Sequence, residues 1–202
     1  MKILTKCTVG IVMLVLFGYL FLEYDFYHWN QPRYKGRTLT RWISIYFSGY
    51  SGTSPHATVA EMDAAERAIR TMGTNTIPFL LQWLTEDRNA RSTALAVFEI
   101  LGEEGQPSAP ALIRLTKHGN KKVRYYALNC LLVIKPDKRV LVPVLVSLIH
   151  DPDGGVRYWA AEQLVRLDSE AAEKAGVFAP EFYEQTIHPD KTDSFETNQS
   201  VS

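Results

Sequence analysis

The residues of this chain that could do chemistry are few and far apart. Five histidines (His28, His56, His118, His150 and His188) fall in loops and at predicted helix ends. None has a partner at metal-ligand spacing, and none is followed directly by Glu, so no metal site is expected. Cys7 starts an apolar run near the N-terminus, and Cys130 lies inside a predicted core helix. Two cysteines so placed predict no disulfide, and Cys130 reads as a small core residue, not a nucleophile. The chain has no Gly-rich phosphate loop and no G-x-S-x-G elbow. No catalytic constellation emerges, which predicts a protein without enzymatic activity or cofactor.

What does recur is a set of positions spaced by 33. Asp87, Asn120 and Asp153 are so related, as are Arg91, Arg124 and Arg157. Ala94, Ala127 and Ala160 follow, then Leu101, Ile134 and Leu167. A fixed period of this size in helix-forming sequence is the signature of a solenoid. An Asp or Asn four residues before an Arg suits a helix start, where it caps N–H groups. Stacked repeats would bring each Arg near the next acidic partner, a structural ladder. The aromatic pairs Tyr125-Tyr126 and Tyr158-Trp159 invite a functional reading. On a helical wheel centred on Ala127, Leu128, Leu131 and Ile134, Tyr125 points away from the core and Tyr126 flanks it. Tyr158 and Trp159 repeat that geometry, with Asn129 and Glu162 alongside. Tyr and Trp are enriched at binding hot spots. These six are the candidate partner-binding residues; the rival role is packing over the seam between repeats.

The elements that must position them are helices. Each first helix of a pair is predicted to open with proline: Pro78, Pro110 and Pro143. Proline suits a first helical turn, where its missing N–H is not needed. Leu80, Leu112 and Leu145 each follow two residues later. The second helices start near Arg91, Arg124 and Arg157. Their apolar faces are Ala94, Leu95, Phe98 and Leu101; Ala127, Leu128, Leu131 and Ile134; Ala160, Ala161, Leu164 and Leu167. Small alanines permit close helix approach. Ahead of the repeats, Leu39, Trp42, Ile43, Tyr46 and Phe47 mark one face of a helix capped by Thr38. Another helix is predicted over Thr58–Met72, stopped by Gly73. Pro32–Gly36 reads as a polar linker and 48–56 as a loop. Ser169–Ala175 and Pro180–Ile187 read as a terminal capping pair, and 188–202 as a disordered tail.

At the N-terminus, Lys2 and Lys6 precede an uncharged run from Cys7 to Leu22. Tyr19, Tyr24, Phe26, Tyr27 and Trp29 lie where an interfacial belt would be. An uncleaved membrane anchor fits best, because no small-x-small cleavage site follows; a removed secretory signal and a buried helix are the rivals. The short basic start favours export of the body, while Arg33, Lys35, Arg37 and Arg41 pull the other way. Those four residues would suit lipid headgroups or a solvated linker. The chain carries no net charge, yet residues 1–56 hold six basic residues (Lys2, Lys6, Arg33, Lys35, Arg37, Arg41) against Glu23 and Asp25. That is +4 at the N-terminal side and −4 for the rest, which argues against a nucleic-acid binder.

The run Asp153-Gly154-Gly155-Val156-Arg157-Tyr158-Trp159-Ala160-Ala161-Glu162-Gln163-Leu164 resembles the D-x-x-V-R-x-x-A-A-x-x-L second helix of the HEAT repeat family at every fixed position. Asn120–Leu131 departs at Asn120 and Leu128, and Asp87–Phe98 is looser, with Ala90 for Val. Tyr34 to Trp42 is similar to the Y-x-G-(K/R)-x-L-(S/T)-x-W lead-in of membrane-anchored bacterial HEAT proteins. The resemblance implies an all-α, right-handed α-solenoid of about four HEAT-type hairpins after an N-terminal hydrophobic helix. The predicted layout is 1–30 signal-anchor or transmembrane helix, 31–56 linker and capping helix, 57–187 HEAT solenoid and 188–202 tail. It implies a protein-binding scaffold; the N-terminal run adds the expectation that this scaffold presents its concave face while tethered through residues 7–22, with the solenoid outside the cytoplasm. Two other HEAT classes, bilin lyases and the nucleic-acid-binding alkyl-purine glycosylases, are the alternatives. The predicted anchor and the absence of a polar cluster in the repeats count against the first, and the acidic body counts against the second.

Overall fold

A computed structural model describes residues 31–48, 57–86 and 90–179, with Phe182 and Thr186. The apolar run of residues 7–22, Asp87, most of 180–187 and the tail 188–202 lie outside the described residues. Among the described residues, no helix is long and apolar enough to cross a membrane. The described chain falls into two compact units that divide between Met72 and Gly73.

The first unit opens with a feature the sequence pattern missed. Pro32–Gly36 is not a plain linker: Arg33–Tyr34 (β1) and Arg37–Thr38 (β2) pair antiparallel, Arg33 facing Thr38 and Tyr34 facing Arg37. Lys35 and Gly36 form the two-residue turn, with φ of +47° and +76°. Positive φ at both positions matches the twist of a tight hairpin. So the chain is not purely helical. Leu39–Ser48 (α1) follows, its start capped by the Thr38 hydroxyl, which accepts from Arg41 N at 3.3 Å. The Trp42 indole N–H donates to the Tyr34 carbonyl at 3.1 Å and ties the hairpin to α1. Val59–Met72 (α2) packs on α1 and buries Ala65, Ala68, Ile69 and Met72, the face expected. Thr58 and Glu61 cap it reciprocally. The Thr58 hydroxyl accepts from Glu61 N, and Glu61 Oε2 accepts from Thr58 N at 2.8 Å. That bonding holds the Glu61 carboxyl below its ordinary range. Helix α2, grouped by its sequence with the repeats, belongs to this unit.

The second unit is a run of helical pairs. Ile77–Thr85 (α3) packs on Arg91–Leu101 (α4), Ala109–Leu115 (α5) on Lys121–Ile134 (α6), and Lys138–Leu148 (α7) on Gly154–Leu167 (α8). Ser169–Lys174 (α9) closes against α7 and α8. The second helices are themselves neighbours, α4 beside α6 and α6 beside α8. Ala94, Ala127 and Ala160 are fully buried, as are Leu80, Leu112 and Leu145. The alanines came directly from the period of 33; Leu145 lies 33 after Leu112, while Leu112 lies 32 after Leu80, one residue having been lost in a loop. Leu95 and Leu167 are only half-buried. Helices α6 and α8 begin three residues ahead of their arginines, because Asn120 and Asp153 are their N-caps.

Pro143 is a correction. It does not open its helix but sits inside α7, which starts at Lys138 behind the N-cap Asp137. Pro78 and Pro110 do lie in the first turn of α3 and α5. The difference lies upstream. The stretch before Pro110 is a 3-10 helix, Gly102–Ser108, interrupted by Pro107. One period later the chain has Asp137-Lys138-Arg139-Val140, which caps and propagates an α-helix.

The 3-10 stretch packs tightly for its own reason. A Cβ at Gly105 would stand 2.7 Å from Ile134 Cγ2 and 3.3 Å from Phe98 Cδ1. Gly105→Ala is therefore expected to overpack the joint between α4 and α6, costing about 1–3 kcal/mol in urea denaturation. An unchanged midpoint would show that the contact relaxes freely.

Candidate partner-binding face

Each arginine of the period is drawn onto the turn before its own helix. Arg91 Nε donates to Leu84 O at 2.8 Å. Arg124 Nη1 donates to His118 O and Gly119 O at 2.9 and 3.1 Å. Arg157 Nη1 does the same with Asp151 O and Pro152 O. One arginine also reaches across to the next repeat. Arg124 holds Asp151 with two parallel bonds, Nε to Oδ2 and Nη2 to Oδ1, both 2.7 Å. Both side chains are nearly shut off from water, at 9% and 3% exposure. The bond raises the Arg124 pKa further above its ordinary value. Asp151 Oδ1 also accepts from Asp153 N at 2.8 Å, so the carboxylate is satisfied on both oxygens.

Sequence spacing pointed to Asp153 as the acidic member, and the structure divides that work. Asp153 caps α8 through Val156 N and takes Lys121 Nζ at 2.8 Å. Asn120 caps α6 through Lys122 N. One period before Asp151 stands His118, whose Nδ1 accepts from Asn120 N at 3.0 Å. The local turn is thus repeated with a different acceptor. Asp151 could have been found from that correspondence, but two acids within three residues hid which one is buried.

The aromatic residues converge. The rings of Tyr125 and Tyr126 meet edge to face at 5.7 Å. Tyr125 also lies 6.4 Å from Trp159, so the cluster spans from α6 to α8. Tyr126 and Trp159 are half-buried, while Tyr125 and Tyr158 are 39% and 50% exposed. Two of the rings therefore lie over the seam and two face outward. Asn129 turns its amide back to Tyr125 O, and Glu162 pairs with Arg166 on the same helix. Two further donors lie one turn apart on α8. Trp159 Nε1 and Gln163 Nε2 are buried and meet no acceptor among the described residues. Gln163 was not singled out by its sequence; nothing in the period marks it.

Cys130 is fully buried in α6, and burial, with Glu99 nearby, pushes its thiol well above the ordinary range. A thiol so placed is inert. Among the described residues, no three His, Cys, Asp or Glu side chains group to hold a metal ion.

This is the geometry of stacked helical repeats, and the family comparison agrees. Residues 108–175, α5 to α9 with their connecting turns, match the family model of HEAT repeats. Over that segment the chain is similar to HEAT repeats. No curated protein and no solved structure matches it.

Two expectations follow. Asp151→Asn leaves Arg124 buried without its counter-charge, which should cost about 3–5 kcal/mol in urea denaturation. Pairing it with Arg124→Met should recover part of that loss; no recovery would mean the two side chains are not coupled. The second concerns acid. The Arg139 guanidinium holds Asp137 down to about 2, against an ordinary 3.8. Lys121 lowers Asp153, and the Ala171 N–H, then Lys138, lower Asp168. A depressed carboxylate stabilises the fold above its unfolded pKa and loses that contribution as pH falls toward the folded value. The melting temperature should therefore drop between pH 3.8 and about 2. A flat profile across that window would contradict these pairings.

Proposed function

We propose that this protein is a non-catalytic scaffold whose HEAT repeats hold a protein partner on the face carrying Tyr125, Tyr126, Tyr158 and Trp159. One observation carries this reading. The exposed rings of Tyr125 and Tyr158 stand beside the half-buried Tyr126 and Trp159, and Tyr125 meets both of the latter. Aromatic anchors over half-buried polar groups are the composition of interface hot spots. Asn129 and Glu162 edge the face with polar groups. The inert thiol and the neutral overall charge agree with a binding role in place of catalysis or nucleic-acid recognition. The uncharged run of residues 7–22 supports a membrane tether, with the repeats on the extracytoplasmic side.

Crosslinking pull-down from membranes tests both parts. The full chain should capture a protein that the chain lacking residues 1–30 captures poorly. Tyr125→Ala with Tyr158→Ala should weaken capture about ten- to a hundredfold, since aromatic hot spots contribute ~1–2 kcal/mol or more each. The melting temperature should stay near that of the parent, because both rings are largely outside the core. A large fall in melting temperature would instead assign them to packing. Salt-dependent binding to duplex DNA, or a copurified bilin, would replace this reading with a rival one.

A further inference from the structure

The first unit holds a cavity of about 340 Å³ that its fold does not explain. The hairpin and α1 contribute Tyr34, Lys35 and Trp42 to its wall; α2 contributes Arg67, Arg70 and Thr71. Three cations line it and no carboxylate does. Glu66 engages one edge of Arg70, with Nε and Nη2 on Oε1 at 3.1 and 3.0 Å. Lys35 and Arg67 make no ion pair among the described residues. Arg37 adds a fourth positive charge nearby, its guanidinium 4.9 Å above the Trp42 ring. Like charges gathered on one concavity repel, and an anion seated there relieves that repulsion.

Lys35 supplies a second, independent observation. It occupies the first turn position at φ +47°, where Gly or Asn would fit with less strain. A lysine there is a poor choice for folding, and strained backbone of this kind collects at binding sites. Its ammonium lies 5.5 Å from the Tyr34 ring centroid, so the turn and the ring together fix where the charge stands. Tyr34 is in turn locked to α1 by the Trp42 indole, which is only 6% exposed. The cations are thus carried by preformed elements.

We propose that this cavity binds a phosphate ester. Arg67 and Arg70 are one turn apart on α2 and lie on the same side of it. Two guanidiniums and an ammonium match the several oxygens and the negative charge of a phosphate ester better than a single carboxylate. The cavity exceeds the needs of a bare phosphate. Tyr34, Trp42 and Ala64 give it an apolar wall for the organic part of the ester. A phospholipid headgroup and a soluble sugar or glycerol phosphate share this chemistry.

The test uses the full chain in phosphatidylcholine nanodiscs. Calorimetric titrations with glycerol phosphate, inorganic phosphate and glycerol form one arm. Partition between vesicles of phosphatidylcholine with and without phosphatidylglycerol forms the other. Lys35→Gly keeps the turn, and should fold at least as well, while removing the ammonium; Arg67→Gln removes one guanidinium. Each should weaken the response about tenfold, the worth of one charged hydrogen bond. Saturable glycerol phosphate binding lowered by both variants supports the proposal with a soluble ester. Preference for phosphatidylglycerol vesicles lowered by both supports it with a lipid headgroup. Inorganic phosphate binding as tightly as the ester would overturn the role of the apolar wall. Responses that neither variant changes, in either arm, would overturn the site itself.

Discussion

Each second helix of the repeat unit carries apolar residues over more of its circumference than one neighbour can cover. Val123, Ala127, Cys130 and Ile134 follow one row of α6, and Leu128 and Leu131 widen it. All six are buried, because α4, α5 and α8 close on the helix from different sides. Alanines at the close approaches let the backbones come near, and leucines from the first helices fill what remains. Removing one pair would expose a stripe on its neighbour. That mutual dependence is the constraint from which the architecture follows, as it does in solenoids generally.

Polar groups in the turns obey the same constraint. Packing two pairs together brings the turn before α6 close to the turn before α8, and both are lined with carbonyls that have lost helical partners. The arginines satisfy those carbonyls, and Arg124 fastens one turn to the next through Asp151. A buried ion pair gives little net stabilisation over a packed apolar pair, yet it tolerates no misregister. Its geometry therefore fixes how one repeat sits on the next, and with it the offset between Tyr125 and Trp159. The outward face depends on a joint that it does not touch.

The two units carry different chemistry. The repeat unit offers aromatic rings and neutral donors, suited to a protein surface. The unit formed by the hairpin, α1 and α2 offers guanidinium and ammonium groups around a concavity, suited to an anion. Among the described residues, neither groups three His, Cys, Asp or Glu side chains that could hold a metal ion. Both proposals assign binding, in keeping with helical-repeat scaffolds, where recognition resides in surface side chains on a rigid core.

The sequence by itself determined the repeat. The period of 33 and the helical wheel marked the buried alanines and most of the buried leucines, though Leu95 and Leu167 are only half-buried, together with the residues that cap α6 and α8 and the tyrosines that face outward, because each of these follows from local helical geometry. It also suggested a helix start at Pro143, which failed because a stronger cap at Asp137 lies upstream. Only the tertiary structure decided the rest. The two-residue strands around Lys35 and Gly36 have no periodicity to detect and exist because Trp42 holds them from another element. The choice of Asp151 over Asp153 depends on which carboxylate the stacked turns enclose. The meeting of Lys35 with Arg67 and Arg70 brings together residues more than thirty positions apart. Spacing along a chain encodes what one helix does with its own turns; what two elements do to each other is set by their approach in space.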